Sequence, residues 1–277
     1  MASPDAPRRL IVNADDFGRS SSINSAVIRA HREGILTTAS LMVNGEAFDE
    51  AVRLAMDHPK LGVGLHLTLV MGRATLPPGE IPGLVNDRGE FSDDPVATGF
   101  RYFSNPALQP QLQREIAAQF AKFRQTGLPL DHVNGHLNLH LHPSVFSLLR
   151  ENAAEWGIRH LRLTRDPFWL NARLARGAWF YRISHAIIFA LLCARASPAL
   201  RRLGVHHTGR VFGLLQNARV DEEFMLRLIE VLPAGDSELY SHPSLDEFKP
   251  EFDALISSRV KSLVAGQGIE LIRYQDL

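Results

Sequence analysis

Two adjacent carboxylates and three histidines are the residues of this chain whose types and spacing could support a reaction. Asp15 and Asp16 follow an apolar run, His66 lies within another, and His136 and His140 are four residues apart. One carboxylate and two imidazoles form a three-ligand metal site that leaves positions open for water. A divalent metal held in this way lowers the pKa of the water and polarises a carbonyl, so the set points to metal-assisted hydrolysis.

The remaining carboxylate and a fourth histidine could carry the protons of that reaction. In an extended strand, neighbouring side chains point to opposite faces, so one Asp can bind the metal while the other takes a proton from the attacking water. His242, in the segment Tyr-Ser-His-Pro, could protonate the leaving group. Structural interpretations stay open, because Asp pairs also form turns and helix caps. The spacing leaves undecided which of Asp15 and Asp16 is the ligand.

Strand-like and helix-like segments alternate along the chain. The predicted strands cover residues 9–13, 39–44, 61–68, 130–134, 158–163, 211–215, 238–241 and 269–274. The predicted helices cover residues 22–33, 46–57, 109–125, 144–156, 221–232 and 248–265, with a mainly helical insert near residues 167–203. Such alternation predicts a parallel sheet, and about eight strands approach the TIM-type (β/α) barrel.

The ends of the predicted strands indicate where the candidate residues should meet. In a (β/α) barrel the site lies at the C-terminal ends of the strands. Asp15, Asp16, His66, His136 and His242 all lie at or just beyond such ends. An open doubly wound sheet is the alternative architecture, and it gathers ligands at the same edge. Both architectures therefore predict one shared site.

Composition argues against several other classes of protein. The 277 residues contain 30 basic and 30 acidic side chains, without the basic excess that is typical of nucleic-acid-binding proteins. The single cysteine, Cys193, excludes an intramolecular disulfide and a cysteine-rich zinc site. The N-terminal segment contains no apolar signal region, so we expect a cytoplasmic protein.

The octapeptide Ile-Val-Asn-Ala-Asp-Asp-Phe-Gly at residues 11–18 resembles the opening motif of the YdjC-type carbohydrate deacetylases. The similarity is weakest in the helical insert, and it continues at residues 44–45, 64–66, 131–143, 238–243 and 272–274. The resemblance implies a single deacetylase domain over residues 1–277 with a distorted (β/α) barrel. It also implies one divalent ion, Mg²⁺ or Zn²⁺, and removal of the acetyl group from an N-acetylglucosamine-type sugar.

The positions that match the family motif imply a role for each candidate residue. Asp16, His66 and His136 correspond to the metal ligands, Asp15 to the base and His242 to the acid. More narrowly, the chain resembles the hopanoid-biosynthesis-associated branch of the family. That likeness implies that the N-acetylglucosamine is carried by a lipid and is converted to the glucosamine form.

Four further positions bear on the site. Many family members have Asp-Ser-His where this chain has Asn-Gly-His at residues 134–136, which removes a charge beside the ligand without changing the ligand. Asn13, His140 and Arg162 are candidate substrate-binding residues. For Arg162, which ends a predicted strand, the favoured interpretation is a surface salt bridge, because such pairs are common.

An apolar segment in the helical insert is relevant to a lipid-linked substrate. Residues 183–194 are strongly apolar and are flanked by arginines. Because about 20 apolar residues are needed to span a bilayer, this segment is too short to do so. A basic-flanked apolar helix can lie in the membrane interface, so we hypothesise peripheral membrane contact through residues 178–202. A buried core helix or a homodimer contact is the more common use of such a segment.

Two other functions are compatible with the same residues. A metal-dependent phosphoester or lactone hydrolase could use a similar barrel, but a phosphatase should gather Arg, Lys or a helix N-terminus near the ligands, and the matched segments contain no such cradle. A non-catalytic sugar-binding protein is the second alternative. The presence of both Asp15 and Asp16 favours a working hydrolase.

Overall fold

The strands and helices alternate through almost the whole of the computed structural model, which describes residues 6–277. In that part of the chain the strands are β1 (Arg8–Phe17), β2 (Thr38–Leu41), β3 (Gly62–Leu67), β4 (Val133–Gly135), β5 (Arg210–Phe212), β6 (Gly235–Ser241) and β7 (Glu270–Ile272). The α-helices are α1 (Ser21–Glu33), α2 (Phe48–Met56), α3 (Pro95–Ser104), α4 (Gln109–Gln125), α5 (Pro143–Glu151), α6 (Phe168–Leu174), α7 (Trp179–Leu203), α8 (Glu222–Glu230), α9 (Lys249–Ile256) and α10 (Ser258–Gly266). The predicted α/β class is confirmed.

The seven strands form one parallel, curled sheet in the order β4-β3-β2-β1-β6-β5, with β7 beside the first half of β1. The expectation of about eight strands is wrong at residues 158–163, which form no regular strand. Isolated bridges pair Val133 with Leu161 and His160 with His206, so each neighbour contacts this segment through a single bridge. The two edges of the sheet are thus linked by irregular backbone, and a complete eight-stranded barrel is not formed.

Local capping explains two of the differences between the predicted and the observed helices. The predicted helix at residues 248–265 is divided at Ser257, whose side chain accepts hydrogen bonds from the first backbone amides of α10. Helix α3 was not predicted. It has the usual start signals, since Asp94 caps it through the amides of Val96 and Ala97 and Pro95 occupies its first turn.

Alternate residues of the central strands face two different environments. On β1, Leu10, Val12 and Ala14 belong to the main apolar core, whereas Asn13 and Asp15 form polar contacts on the other face. The same face carries polar side chains from three further strands, namely Ser40 of β2, His66 of β3 and Glu238 of β6. Because strands have a period of two, the curled sheet encloses a polar interior while its outer face packs on helices.

Helices α6 and α7 form the predicted insert. Helix α7 contains 25 residues and is, within the described chain, the one helix long and apolar enough to span a membrane by length and composition alone. The apolar segment at residues 183–194 thus lies within a longer helix, which residues 179–182 and 195–203 continue at its two ends. Only 22% of the apolar window of this helix is buried, so the interpretation as a buried core helix is wrong.

Candidate metal centre

Asp15 and Asp16 lie at the C-terminal end of β1, where its pairing with β2 is irregular. The register shifts between Ala14 and Phe17, and Asp16 has a φ of 64°. Left-handed backbone is uncommon for residues other than glycine. In a regular strand two neighbouring side chains point to opposite faces, and a bulge changes these directions. As a result, both carboxylates line the same cleft.

Asp16, His66 and His136 form a buried cluster at this edge of the sheet. Their potential ligand atoms all lie within 4.8 Å of one another. Oδ1 of Asp16 is 3.2 Å from Nε2 of His66 and 3.0 Å from Nδ1 of His136. His66 lies on β3 and His136 directly follows β4, so parallel pairing brings together three residues that are far apart in the chain.

The hydrogen bonding of His66 fits a metal ligand. Its Nδ1 donates to Oδ1 of Asn134 at 2.7 Å, which leaves the Nε2 lone pair facing the cluster. Nε2 is buried and forms no hydrogen bond. A buried nitrogen without a partner is costly, and a cation among one carboxylate and two imidazoles would satisfy it. The donor set of one carboxylate and two imidazoles therefore fits a divalent metal ion.

Asp15 is held from behind by a fully buried guanidinium. Arg162 donates to Oδ2 of Asp15 at 2.7 Å and to Oδ1 at 3.0 Å. Its Nε and Nη2 also donate to Oε1 of Glu238, at 2.9 and 2.7 Å. Tyr274 donates its hydroxyl to the other oxygen of Glu238. These contacts fix the orientation of Asp15 while one side of it borders the cleft.

The interpretation of Arg162 as a surface salt bridge is wrong, because its side chain is 0% exposed. It does not line the cleft, and its contact with a substrate stays a prediction. It could not be recognised from sequence, because Asp15 and Glu238 approach it only through the pairing of distant strands. Arg162 is a positioning residue for Asp15.

Asn13 and His140 also lie outside the lining of the cleft, and their substrate contacts stay predictions. Asn13 is fully buried and donates to Oδ1 of Asp15 at 2.8 Å. His140 is fully buried, and its Nε2 donates to the backbone carbonyl of Arg162 at 2.9 Å. Leu137 and Asn138 have left-handed backbone and lie between His136 and His140 in the chain. Leu137 and Asn138 line the cleft, whereas His140 does not.

The charges of the site favour a bound cation. Burial alone would raise the pKa of Asp15, but Arg162 and His66 hold that pKa well below its usual range. Burial lowers the pKa of His140 to about 3, so this ring adds no positive charge beside Arg162. The three buried carboxylates of Asp15, Asp16 and Glu238 face two guanidinium groups, because Arg162 pairs with Asp15 and Glu238 while Arg19 pairs with Asp16. A divalent cation would offset the excess negative charge.

His242 lies across the cleft from the metal cluster, on the loop that follows β6. Its ring borders the cleft together with both carboxylates of β1, and its side chain is 27% exposed. Nδ1 is buried without a hydrogen bond and lies 3.9 Å from Oε2 of Glu251. This placement gives a substrate in the cleft access to the imidazole, as a proton donor requires.

Three contributors to the site were not predicted as functional residues: Asn134, Glu238 and Tyr240. The side-chain amide of Asn134 donates to Oδ1 of Asp15 at 3.1 Å while its carbonyl accepts from His66. A carboxylate at this position could not donate to Asp15, so the uncharged residue links Asp15 and His66 by hydrogen bonds. Tyr240 lies under the guanidinium of Arg162, at 4.3 Å from its ring centroid. The sequence feature that could have identified Glu238 is its charge within an otherwise strand-like segment.

Removing Arg162 should strongly destabilise the protein. Arg162→Met leaves the carboxylates of Asp15 and Glu238 buried without their cation, which typically costs about 3–5 kcal/mol. Urea unfolding followed by circular dichroism measures the loss. As a matched control, Arg259→Met removes an exposed arginine that pairs with Glu222 and Glu223, and it should change the unfolding midpoint little. Equal midpoints for the two variants would contradict the structural role of Arg162.

Sequence comparisons connect this site with known proteins. The family model described as YdjC-like protein matches residues 9–266. A carbohydrate deacetylase of Brevibacillus brevis is 39% identical over 152 residues, which make up 54% of this chain and 57% of the relative. A carbohydrate deacetylase of Geobacillus stearothermophilus is 40% identical over 161 residues, 57% of this chain and 62% of the relative. The chain thus matches less than two thirds of the length of either relative.

Solved structures share the fold. A protein of Enterococcus faecalis described as a proposed cellobiose-phosphate cleavage protein has a TM-score of 0.75 and 23% identity, over 98% of this chain and 99% of its own. The lactam utilization protein of Thermus thermophilus has a TM-score of 0.50 and 17% identity, over 95% and 98% of the two chains. At these identities the likeness shows a common architecture.

Proposed function

Because the chain belongs to the YdjC-like family, we propose that it is a metal-dependent hydrolase that removes the acetyl group from an N-acetylated sugar. One observation carries the proposal. The buried cluster of Asp16, His66 and His136 lies beside Asp15 at the floor of an open cleft. The carbohydrate deacetylase relatives support the choice of reaction.

Asp15 and His242 are suited to the two proton transfers of amide hydrolysis. A water molecule in the cleft gives a proton to Asp15 as it attacks the acetyl carbonyl carbon. His242 gives a proton to the sugar nitrogen as the carbon–nitrogen bond breaks, so that acetate and an amino sugar are released. A divalent metal at the cluster would lower the pKa of the water and polarise the carbonyl. Arg162 orients Asp15 and keeps it ionised until it takes that proton.

The cleft has the size and lining for a sugar unit. Its volume is about 510 Å³, which lies within the usual range for small-molecule sites. Aromatic side chains can pack on the apolar faces of a pyranose ring, and those that line the cleft are Tyr181, Phe189, Tyr240 and Phe248. We infer an N-acetylglucosamine-type substrate. The apolar wall formed by α7 also supports a lipid-linked form, of which a hopanoid carrier is the specific case to test.

A phosphoester hydrolase is less compatible with the charges of the cleft. Arg162 is buried and neutralised by carboxylates, and Arg19, which borders the cleft, donates to Oδ2 of Asp16 at 3.1 Å. Among the residues that line the cleft, these contacts leave little positive charge for a phosphate group.

Release of acetate tests the proposed reaction directly. The intact protein is incubated with N-acetylglucosamine, its β-linked oligomers and a lipid-linked N-acetylglucosamine, and products are followed by mass spectrometry. We expect loss of one acetyl group from at least one substrate. A chelator should abolish that loss, and added Mg²⁺ or Zn²⁺ should restore it. Chelator-resistant deacetylation, or phosphate release from a sugar phosphate without any acetate, would overturn the proposal.

A further inference from the structure

Helix α7 is apolar around its circumference, although only one side of it is packed. Cys193, Ala196 and Leu200 are buried against the domain. The opposite side exposes large apolar side chains at spacings of three and four residues, namely Phe180, Ile183, Ile187 and Leu191. Phe180 is 89% exposed and Leu191 is 68% exposed. Helices that are apolar on all sides are normally buried in a protein core or in lipid.

A second element extends the exposed apolar surface across the mouth of the cleft. Helix α3 exposes Val96, Phe100 and Phe103, with Val96 at 80% and Phe100 at 72%. Val96 lines the cleft together with Phe189 of α7. Both helices also pack on α5, so α3 and α7 both lie beside the cleft and share a neighbouring helix. Two separate insertions in the sheet thus surround the cleft with apolar side chains that have no protein cover.

The charged residues of the insert that contains α7 have one sign. Between Asp166 and Asp221 the chain contains no acidic residue. Exposed arginines lie before α7 at Arg173 and Arg176, and within its last three turns at Arg195, Arg201 and Arg202. An apolar face bordered by arginines at both ends is complementary to a bilayer that contains anionic lipids.

We propose that the exposed faces of α7 and α3 dock the protein on an anionic phospholipid bilayer, with the mouth of the cleft towards the lipid. Helix α7 lies along the surface and does not span it, because its other side is bound to the domain. Arg182, for example, is buried and donates to the carbonyl oxygens of Asn171 and Ala175. Docking does not require the proposed reaction, so it can be tested without turnover.

A second copy of the chain is less well suited to cover this face. In a twofold-symmetric dimer an antiparallel pair of α7 helices would place Arg173 and Arg176 beside the arginines at the other end of the partner's helix. A parallel pair would place each arginine beside its own counterpart. Both arrangements juxtapose like charges, and the insert itself contains no acidic residue that could offset them.

Vesicle flotation of the full chain tests the docking. We expect the protein to float with vesicles of equal parts phosphatidylcholine and phosphatidylglycerol, to float less with phosphatidylcholine alone, and to lose part of its binding at high salt. The triple variant Ile183→Ser/Ile187→Ser/Leu191→Ser should lose most of the binding. None of these residues lines the cleft. As a matched control, Met56→Ser/Val231→Ser removes exposed apolar side chains from α2 and from the residue after α8, and it should float like the wild type.

Tryptophan fluorescence gives a second measurement on the same samples. Trp169 and Trp179 are exposed in the insert, whereas Trp156 is buried. Emission should shift to shorter wavelength on addition of the anionic vesicles, and brominated lipid should quench it; Trp169→Phe/Trp179→Phe should remove both effects. Absence of wild-type flotation at low salt, or flotation of the triple variant equal to wild type, would overturn the proposal. A dimer that the triple variant converts to monomer, without vesicle binding, would assign the face to a second copy.

Discussion

Asp15→Asn is expected to reduce deacetylation by about 10²–10⁴-fold while metal content stays unchanged. An amide cannot take the proton of the attacking water. Both oxygens of Asp15 accept hydrogen bonds in the native protein, from Asn13, Asn134 and Arg162. The metal cluster is built on Asp16 instead, so the ligands stay in place. Turnover of an N-acetylated sugar and metal analysis by mass spectrometry are measured on the same preparation.

The comparison with Asp16→Asn decides which carboxylate has which role. Asp16 lies 3.0–3.2 Å from ring nitrogens of His66 and His136, whereas the nearest contact of Asp15 with His66 is 4.0 Å. We therefore expect Asp16→Asn to lose metal and Asp15→Asn to keep it. The opposite pattern would exchange the two roles. Thermal unfolding of both variants serves as the control for a loss of stability. Such a loss is expected in Asp15→Asn, because its side-chain NH2 group replaces an oxygen that accepts hydrogen bonds and therefore faces another donor.

His66→Ala and His136→Ala should each lose stoichiometric metal and with it nearly all activity. Each removes one of three ligand side chains that come from different parts of the sheet. Metal is measured by inductively coupled plasma mass spectrometry after gel filtration. His242→Ala is a matched control from the same cleft. It lies outside the cluster, so it should keep the metal and still lose turnover, as expected for the acid.

Asn134→Leu extends this test to the hydrogen bonds behind the ligands. It removes the acceptor that orients His66, and such contacts typically change metal affinity by about 10–100-fold.

Full metal occupancy in both His66→Ala and His136→Ala would show that the ligand set is wrong. A lower melting temperature with unchanged metal content would show that the histidines are structural.

The sequence by itself determined which residues share the candidate site. Asp16, His66 and His136 each lie at a strand end in a chain whose strands alternate with helices. Parallel strands place their carboxyl ends at one edge, so a local pattern was sufficient to predict the grouping. The alternation of side chains along β1 similarly determined that Leu10, Val12 and Ala14 form core.

Only the tertiary structure decided what supports those residues. Arg162 reaches Asp15 across 147 positions of sequence and Glu238 across 76, so its burial depends on the register of strands that are not neighbours in the chain. The position of Asn134, which forms hydrogen bonds with both Asp15 and His66, also depends on the register of distant strands. Sequence favoured a surface role for Arg162 because arginine burial requires partners that no local pattern reveals.

The tertiary structure also decided the exposure of α7. Hydropathy reports how apolar a segment is, and an apolar segment is equally consistent with a core helix, a dimer contact and a membrane-facing helix. Which side is covered depends on where the sheet and α5 lie relative to the helix. Composition therefore identified the segment, and packing alone determined that one side of the helix meets solvent while another side, with Tyr181 and Phe189, lines the cleft.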